Sequence, residues 1–234
     1  MWLIAEYEAV TLFSLKPSTA TSSGGKTLLV PTPYALKMAL LDSACRTLGV
    51  KQAESLWKEI RDLHVAIRPA PKVVVTNLFQ RILKPFKNPP KEGTPDSFGT
   101  FQRTIGYREY AQLIGTMAVA LEAGTTNREV LRDLLLNINY FGKRGGFMQL
   151  VKIPYDIEEL PNQFVDTVNL RTSFSLYGTL QVLDDCAPEL TFERANIYSG
   201  KKLKDGDRMR RNVILPYRMT STSKSFSLYE YVAE

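Results

Sequence analysis

The sequence predicts an α+β fold, and three observations carry that reading. Residues 2–15 alternate, with Leu3, Ala5, Tyr7, Ala9, Phe13 and Leu15 on one side, the period of a strand with one buried face. Residues 33–48 instead set Leu36, Ala39, Leu40, Ala44 and Leu48 at helical spacing. Beyond residue 163 the apolar runs are strand-like and none has a helical period.

Taken in order, the first strand gives way at Pro17 to a polar run, 18–25, that ends in two glycines. Gly25-Lys26-Thr27 resembles the tail of a P-loop, but the motif's first glycine would fall on Ala20 and a strand-like Leu-Leu-Val-Pro follows. Nucleotide hydrolysis is therefore excluded. Thr32 and Pro33 read as N-cap and first residue of the helix over 33–48, which Gly49 ends. A second helix is expected over 52–62, with Leu56, Trp57 and Ile60 inward. Residues 65–68 and 73–82 are strand-like, the latter rich in β-branched side chains. Four prolines and two glycines in 85–99 forbid regular structure there. Strand character returns at 104–110 and runs on through 114–122, so the flanks can pair as a long hairpin with a projecting tip.

Asn127 and Glu129 open a helix over 128–140, with Val130, Leu131, Leu134, Leu135 and Ile138 inward, and a strand follows over 147–153. The order βαββαβ is that of a ferredoxin-like (RRM-like) unit, expected over 1–153, with its hairpin thumb at about 81–108. After a polar linker, strands are expected at 174–183, 190–198, 212–219 and 226–232, a β-rich annex over 154–234.

Composition bounds the function. A chain of 234 residues, 44% hydrophobic and 23% charged, has room for a sizeable core. No apolar run approaches a membrane span, and the first residues have no cationic region ahead of an apolar one, so neither signal nor anchor is expected. Cys45 and Cys186 stand far apart, with no metal-ligand spacing, which points to a reducing, cytoplasmic home. No His/Cys/Asp/Glu cluster calls for a metal, and no cofactor is expected. The net charge is +6, and residues 198–224 hold eight cations against two anions, among them Arg208, Arg210 and Arg211. Such a face suits a polyanion, although a solvated basic loop would give the same count. The arm carries Arg81, Lys84, Lys87, Lys91, Arg103 and Arg108 against Glu92 and Asp96, with Phe86, Phe98, Phe101 and Tyr107 interleaved. Aromatics among cations serve base stacking and phosphate tracking.

Between the last helix and last strand of the unit lies Gly142-Lys143-Arg144-Gly145-Gly146-Phe147. Its glycines let a phosphate approach bare N–H groups, and its two cations supply charge there; a capped helix end facing water has the same composition. A glycine-rich basic loop at this position resembles that of the RAMP superfamily of CRISPR-associated RNA-binding proteins. Within it the chain looks most like the fifth Cas subunit of type I Cascade effector complexes. The shared features are the Gly/Ser loop leading into Pro31-Thr32-Pro33-Tyr34-Ala35-Leu36-Lys37-Met38-Ala39-Leu40-Leu41, the thumb hairpin and the β-rich C-terminal end.

The resemblance implies a non-catalytic subunit of antiviral defence that caps the 5′ handle of the crRNA. It also implies a position between the backbone subunit and the large subunit, with target DNA reached only through the complex. The residues expected to meet RNA are Gly142, Lys143, Arg144, Gly145, Gly146, Phe147, Lys26, Lys37, Lys84, Arg103, Arg108, Arg208, Arg210 and Arg211. A metal-independent endoribonuclease that processes precursor crRNA is the alternative within the superfamily. Against it, the sole histidine, His64, reads as a packing residue, and no spacing makes Tyr34, Lys37 and Lys143 converge. A stand-alone RRM-like module is the other alternative, but 114–122 has no aromatic to stack a base.

Overall fold

The computed structural model describes residues 1–18, 20, 25–88, 91–93, 101–122, 124, 127–168 and 178–232. Three antiparallel sheets and four α-helices make a mixed α/β architecture among them. The main sheet runs β6 (Met148–Leu150), β1 (Trp2–Ala9), β5 (Met117–Glu122), β2 (His64–Arg68) and β8 (Val165–Asp166). A further strand, β7 (Tyr155–Ile157), shares the edge of β1 with β6. Helices α1 (Pro33–Thr47), α2 (Val50–Asp62) and α3 (Arg128–Leu136) bury Leu36, Leu40, Trp57, Ile60, Leu131 and Leu135 in the core shared with Leu3, Ala5, Tyr7, Val119 and Leu121. Ile4, Ala66, Ala118 and Ala120 point the other way and pack with Phe164, Tyr155 and Ile157. Both faces of the central strands are therefore covered, which is why β5 reads Met-Ala-Val-Ala-Leu without alternation.

Each half of the predicted hairpin bends from one sheet into another. After Arg68 the prolines Pro69 and Pro71 interrupt pairing, and β3 (Lys72–Pro85) begins a new sheet. On the return, β4 (Phe101–Ile114) hands over to β5 at Gly115, whose φ of +83° suits glycine alone. Any Cβ there would come within 3.0 Å of the Pro71 ring. The strands β3 and β4 pair from Lys72↔Ile114 to Pro85↔Phe101, and β12 (Phe226–Tyr231) and β11 (Tyr217–Thr222) extend that sheet from the side of β3. The third sheet is the ribbon β9 (Thr179–Cys186) and β10 (Arg208–Leu215).

Several expectations are corrected. The first strand ends at Ala9, and residues 10–15 leave the sheet, with Phe13 bridging to Ala111 of β4. The predicted strand over 190–198 is instead the short helix α4 (Phe192–Ala195) and a 3-10 turn, Ile197–Ser199. Leu190, Phe192 and Ala195 point inward, and the Trp57 indole donates to the Leu190 carbonyl at 2.9 Å, so burial selects a helical turn. Pro216 divides the strand expected over 212–219 into β10 and β11. The helix expected to reach residue 140 stops at Leu136. Asn127 stands at its N-cap but gives its amide to Glu59 instead of capping. The strand expected to end at residue 183 runs on through Asp184 and Asp185 to Cys186 as β9. The tip residues Pro89, Pro90, Pro95, Asp96, Phe98 and Gly99, and the start of the strand expected at 174–183, lie outside the described residues.

Candidate nucleic-acid interface

The glycine loop is held from below. Past Leu136 the open carbonyls of α3 are met by side chains: Ser43 donates to Leu134 at 2.9 Å and Tyr7 to Leu135 at 2.8 Å. Phe141 is then buried edge-on against Tyr7, with ring centroids 5.1 Å apart. Only after this anchor does the chain turn outward. Gly142 and Gly145 take φ of +74° and +107°, values costly for any other residue. The Phe141 N–H donates to Gly146 and the Gly146 N–H to Lys143, which closes the loop and leaves the N–H groups of 143–145 outside those bonds. Lys143 and Arg144 are exposed there, and Phe147 is 44% exposed.

Residues 10–15 and 25–28 join this loop to the arm. Thr11 donates its hydroxyl to the Gly145 carbonyl and accepts from the Phe147 N–H, while Leu15 fills the space a Cβ on Gly142 would need. Phe13 exchanges both backbone bonds with Ala111, at 2.8 and 2.7 Å. The Glu109 N–H then donates to Gly25 at 2.7 Å. Gly25 packs so closely that a Cβ would sit 1.8 Å from the Tyr107 carbonyl oxygen. Glu109, 5% exposed, collects the loop with its carboxylate: it accepts from the Thr27 N–H, the Tyr107 hydroxyl and the Lys26 ammonium, the last at 2.8 Å.

The arm itself presents one face made of Phe79, Arg81, Leu83, Arg103, Ile105 and Tyr107, which the register places opposite one another. Phe79, Leu83 and Ile105 are 70%, 64% and 72% exposed. Lys84 and Arg108 lie on the other face.

Of the expected RNA contacts, the structure gathers Gly142–Phe147 and connects them through residues 10–15 and 25–28 to Lys26 and Arg108. Lys84 and Arg103 stand farther out on the arm, and Arg208, Arg210 and Arg211 belong to β10. Lys37 is a correction. It is 2% exposed and donates to Asp185 at 2.6 Å, so its ammonium is spent inside the protein. Lys26 is drawn toward Glu109, and the hydrogen bond between them raises its pKa. Arg208 stacks over Tyr34 at 4.6 Å and bonds Asp184 at 2.9 Å; Arg211 approaches Asp185 at 3.8 Å. Tyr34 and Lys37 thus do meet acids and cations, but burial pushes the Tyr34 hydroxyl up to about 12, which makes it a poor base near neutral pH. Among the described residues, no carboxylate pairs with Lys143, Arg144, Lys84, Arg103, Arg108 or Arg210.

The sequence reading missed Thr11 and Glu109. Glu109 carries one signal, being the only acid in the basic strand 101–114; Thr11 carries none. Tyr140, beneath the loop, bridges to Phe147, and burial is the chief cause that raises the pKa of its phenol.

His64 is at the other end of the sheet. Its ring lies edge-on to Trp2 and bonds Glu122 and Asp166, each at 2.7 Å, rather than only packing. Trp2 faces Glu122 at one end of β1, and Ala9 faces Met148, beside the glycine loop, at the other. Seven residues of strand separate them by about 23 Å, so His64 does not belong to the loop's surface.

No family model matches the chain. It is 25% identical over 210 residues to the CRISPR-associated protein Cas5 of Archaeoglobus fulgidus, covering 86% of each chain. The crystal structure of a CRISPR protein from Archaeoglobus fulgidus shares the fold, with a TM-score of 0.52 at 11% identity over 99% of this chain and 92% of that one. A chain of a CRISPR RNA-guided surveillance complex aligns at a TM-score of 0.47 and 12% identity, over 91% of this chain and 88% of that one. The likeness to the fifth Cas subunit read from the sequence is borne out: over most of its length the chain is similar to a Cas5 protein.

Proposed function

We propose, from this similarity to Cas5, that the chain is a non-catalytic RNA-binding subunit of a CRISPR effector complex. It caps the 5′ handle of the crRNA and bridges the backbone and large subunits. The antiparallel neighbours β6, β1, β5 and β2 support reading the first 153 residues as a ferredoxin-like βαββαβ unit, with β3 and β4 as its thumb. One observation carries the proposal beyond similarity: residues 10–15 and 25–28 tie the glycine loop to the base of the arm. A strand whose phosphates meet Lys143 and Arg144 has a continuous path toward Arg108 and the exposed aromatic face of the arm.

The test is salt dependence. Purified protein binds single-stranded repeat RNA with an affinity that falls as salt rises, since each phosphate neutralised releases counterions. Lys143→Ala/Arg144→Ala lowers the log–log slope by roughly one to two units. An unchanged slope removes the loop from the interface. Incubated with EDTA, the protein leaves labelled precursor RNA intact; site-specific cleavage would favour the endoribonuclease instead.

A further inference from the structure

Residues 196–204, Asn-Ile-Tyr-Ser-Gly-Lys-Lys-Leu-Lys, carry the two most exposed large hydrophobic side chains among the described residues. Ile197 is 83% and Tyr198 84% exposed. They are not on a slack loop. The Asn196 side chain accepts from the Tyr198 N–H at 3.0 Å and so caps the 3-10 turn, and Gly200 ends it at φ +73°. The Ser199 hydroxyl donates to the Glu193 carbonyl on one side and accepts from the Lys201 N–H on the other. The helix before it is fixed in the core by Leu190, Phe192 and Ala195. A tyrosine with two side-chain torsions on such a base offers a flat ring at small entropic cost.

The surroundings favour an anionic partner. Lys201, Lys202 and Lys204 follow within six residues and are exposed, while Asp207 is buried against Arg194 and Asp42 is paired with Arg46. Glu193 and Asp205 are the exposed acids nearby in sequence. Cations beside an outward aromatic ring recognise an unpaired nucleotide better than an apolar protein surface.

We propose that Tyr198 is a stacking platform for an unpaired base of the bound RNA, with Lys201, Lys202 and Lys204 beside it for the phosphates. This rests on the RNA-binding reading above and adds a residue that was not among the expected RNA contacts.

The experiment uses the full chain and two fluorescent single-stranded probes of about ten nucleotides, oligoadenylate and oligouridylate, spanning a typical single-strand site. Tyr198→Ala weakens oligoadenylate binding roughly 5- to 150-fold, the range for one lost base–aromatic stack. It narrows the preference for adenine and leaves the salt slope unchanged. Tyr198→Phe retains wild-type affinity. With its side chain in solvent, Tyr198→Ala melts like the wild type, so lost affinity is not lost fold. Wild-type affinity in Tyr198→Ala, alongside weakened Lys143→Ala/Arg144→Ala, overturns this assignment and spares the RNA reading. A lowered salt slope in Tyr198→Ala also overturns it, since the contact would then be to phosphate. Failure of the wild type to bind either probe overturns both.

Discussion

Single residues separate what the chain spends on folding from what it leaves for a partner. Lys37 and Asp185 form a buried pair that joins α1 to β9, with the Cys186 N–H also donating to Asp185. Removing one partner strands a charge, so Lys37→Met costs about 3–5 kcal/mol in denaturant unfolding, whereas Lys37→Met/Asp185→Leu recovers much of it. If the single change is harmless, the pair is not buried as described. His64 offers a pH reading. Burial works against its charge, but hydrogen bonds to Asp166 and Glu122, and their charges, outweigh it and raise the pKa. A raised folded pKa makes this contribution complete below the unfolded value of about 6.5 and removes it as pH climbs through the folded one. His64→Asn should therefore narrow its stability deficit relative to wild type between mildly acidic and alkaline pH. A deficit that does not change with pH would refute the bridge. Glu6 has the opposite sign. Burial opposes its charge, but bonds from Lys152, Tyr155 and Arg68 bring its pKa down to about 2, so its support fades as acid is added.

At the scale of elements the arm is the informative case, because its tip and its base make opposite demands. Replacing 85–99 with a short Gly-Ser turn leaves the paired strands from Lys72↔Ile114 to Lys84↔Gln102 in place. Loop closure changes by only about 0.6 kcal/mol per doubling of length, so the shortened protein should melt within a few degrees of wild type. By the proposed function it should nevertheless fail to co-purify with the backbone subunit and RNA. Gly25→Ala, in contrast, drives a Cβ into the Tyr107 carbonyl, and overpacking of that kind costs roughly 1–3 kcal/mol. The expected measurement is lower stability with faster proteolysis in residues 10–28. The helices and the hairpin were legible because their periods and breakers are local: Thr32 accepts from the Ala35 N–H as a cap, and Gly49 separates α1 from α2. The handover from β2 to β3 was not legible, since both runs are apolar and β-branched and the change of sheet depends on Pro71 meeting Gly115 across the hairpin. Likewise Phe192 and Tyr198 looked like strand because aromatic composition favours sheets, and only packing beneath Trp57 decides for a helical turn.

For the whole molecule, the basic character of the sequence is partly consumed inside. Of the cations in 198–224, Arg208 and Arg211 face Asp184 and Asp185, while Lys201, Lys202, Lys204 and Arg210 stay exposed. The glycine loop was found by composition, but what makes it a candidate site is Thr11, Phe13 and Glu109, ordinary residues brought together by contacts more than eighty positions apart. The same long reach governs the arm's sheet. Its central strand β12 pairs Phe226 with Thr76, 150 positions earlier, and Tyr229 with Val73. The two-stranded arm is complete at Ile114, so at synthesis rates of 5–20 residues per second it waits roughly 6 to 22 s for Phe226. During that wait it is a two-stranded ribbon, a form with little stability of its own, with Phe79, Leu83 and Ile105 facing water. The newborn chain thus passes through an interval in which its stickiest surface is also its least formed. Apolar surface on an unfinished sheet is where aggregation competes with folding, so early capture of the arm by a partner or a chaperone favours intact protein.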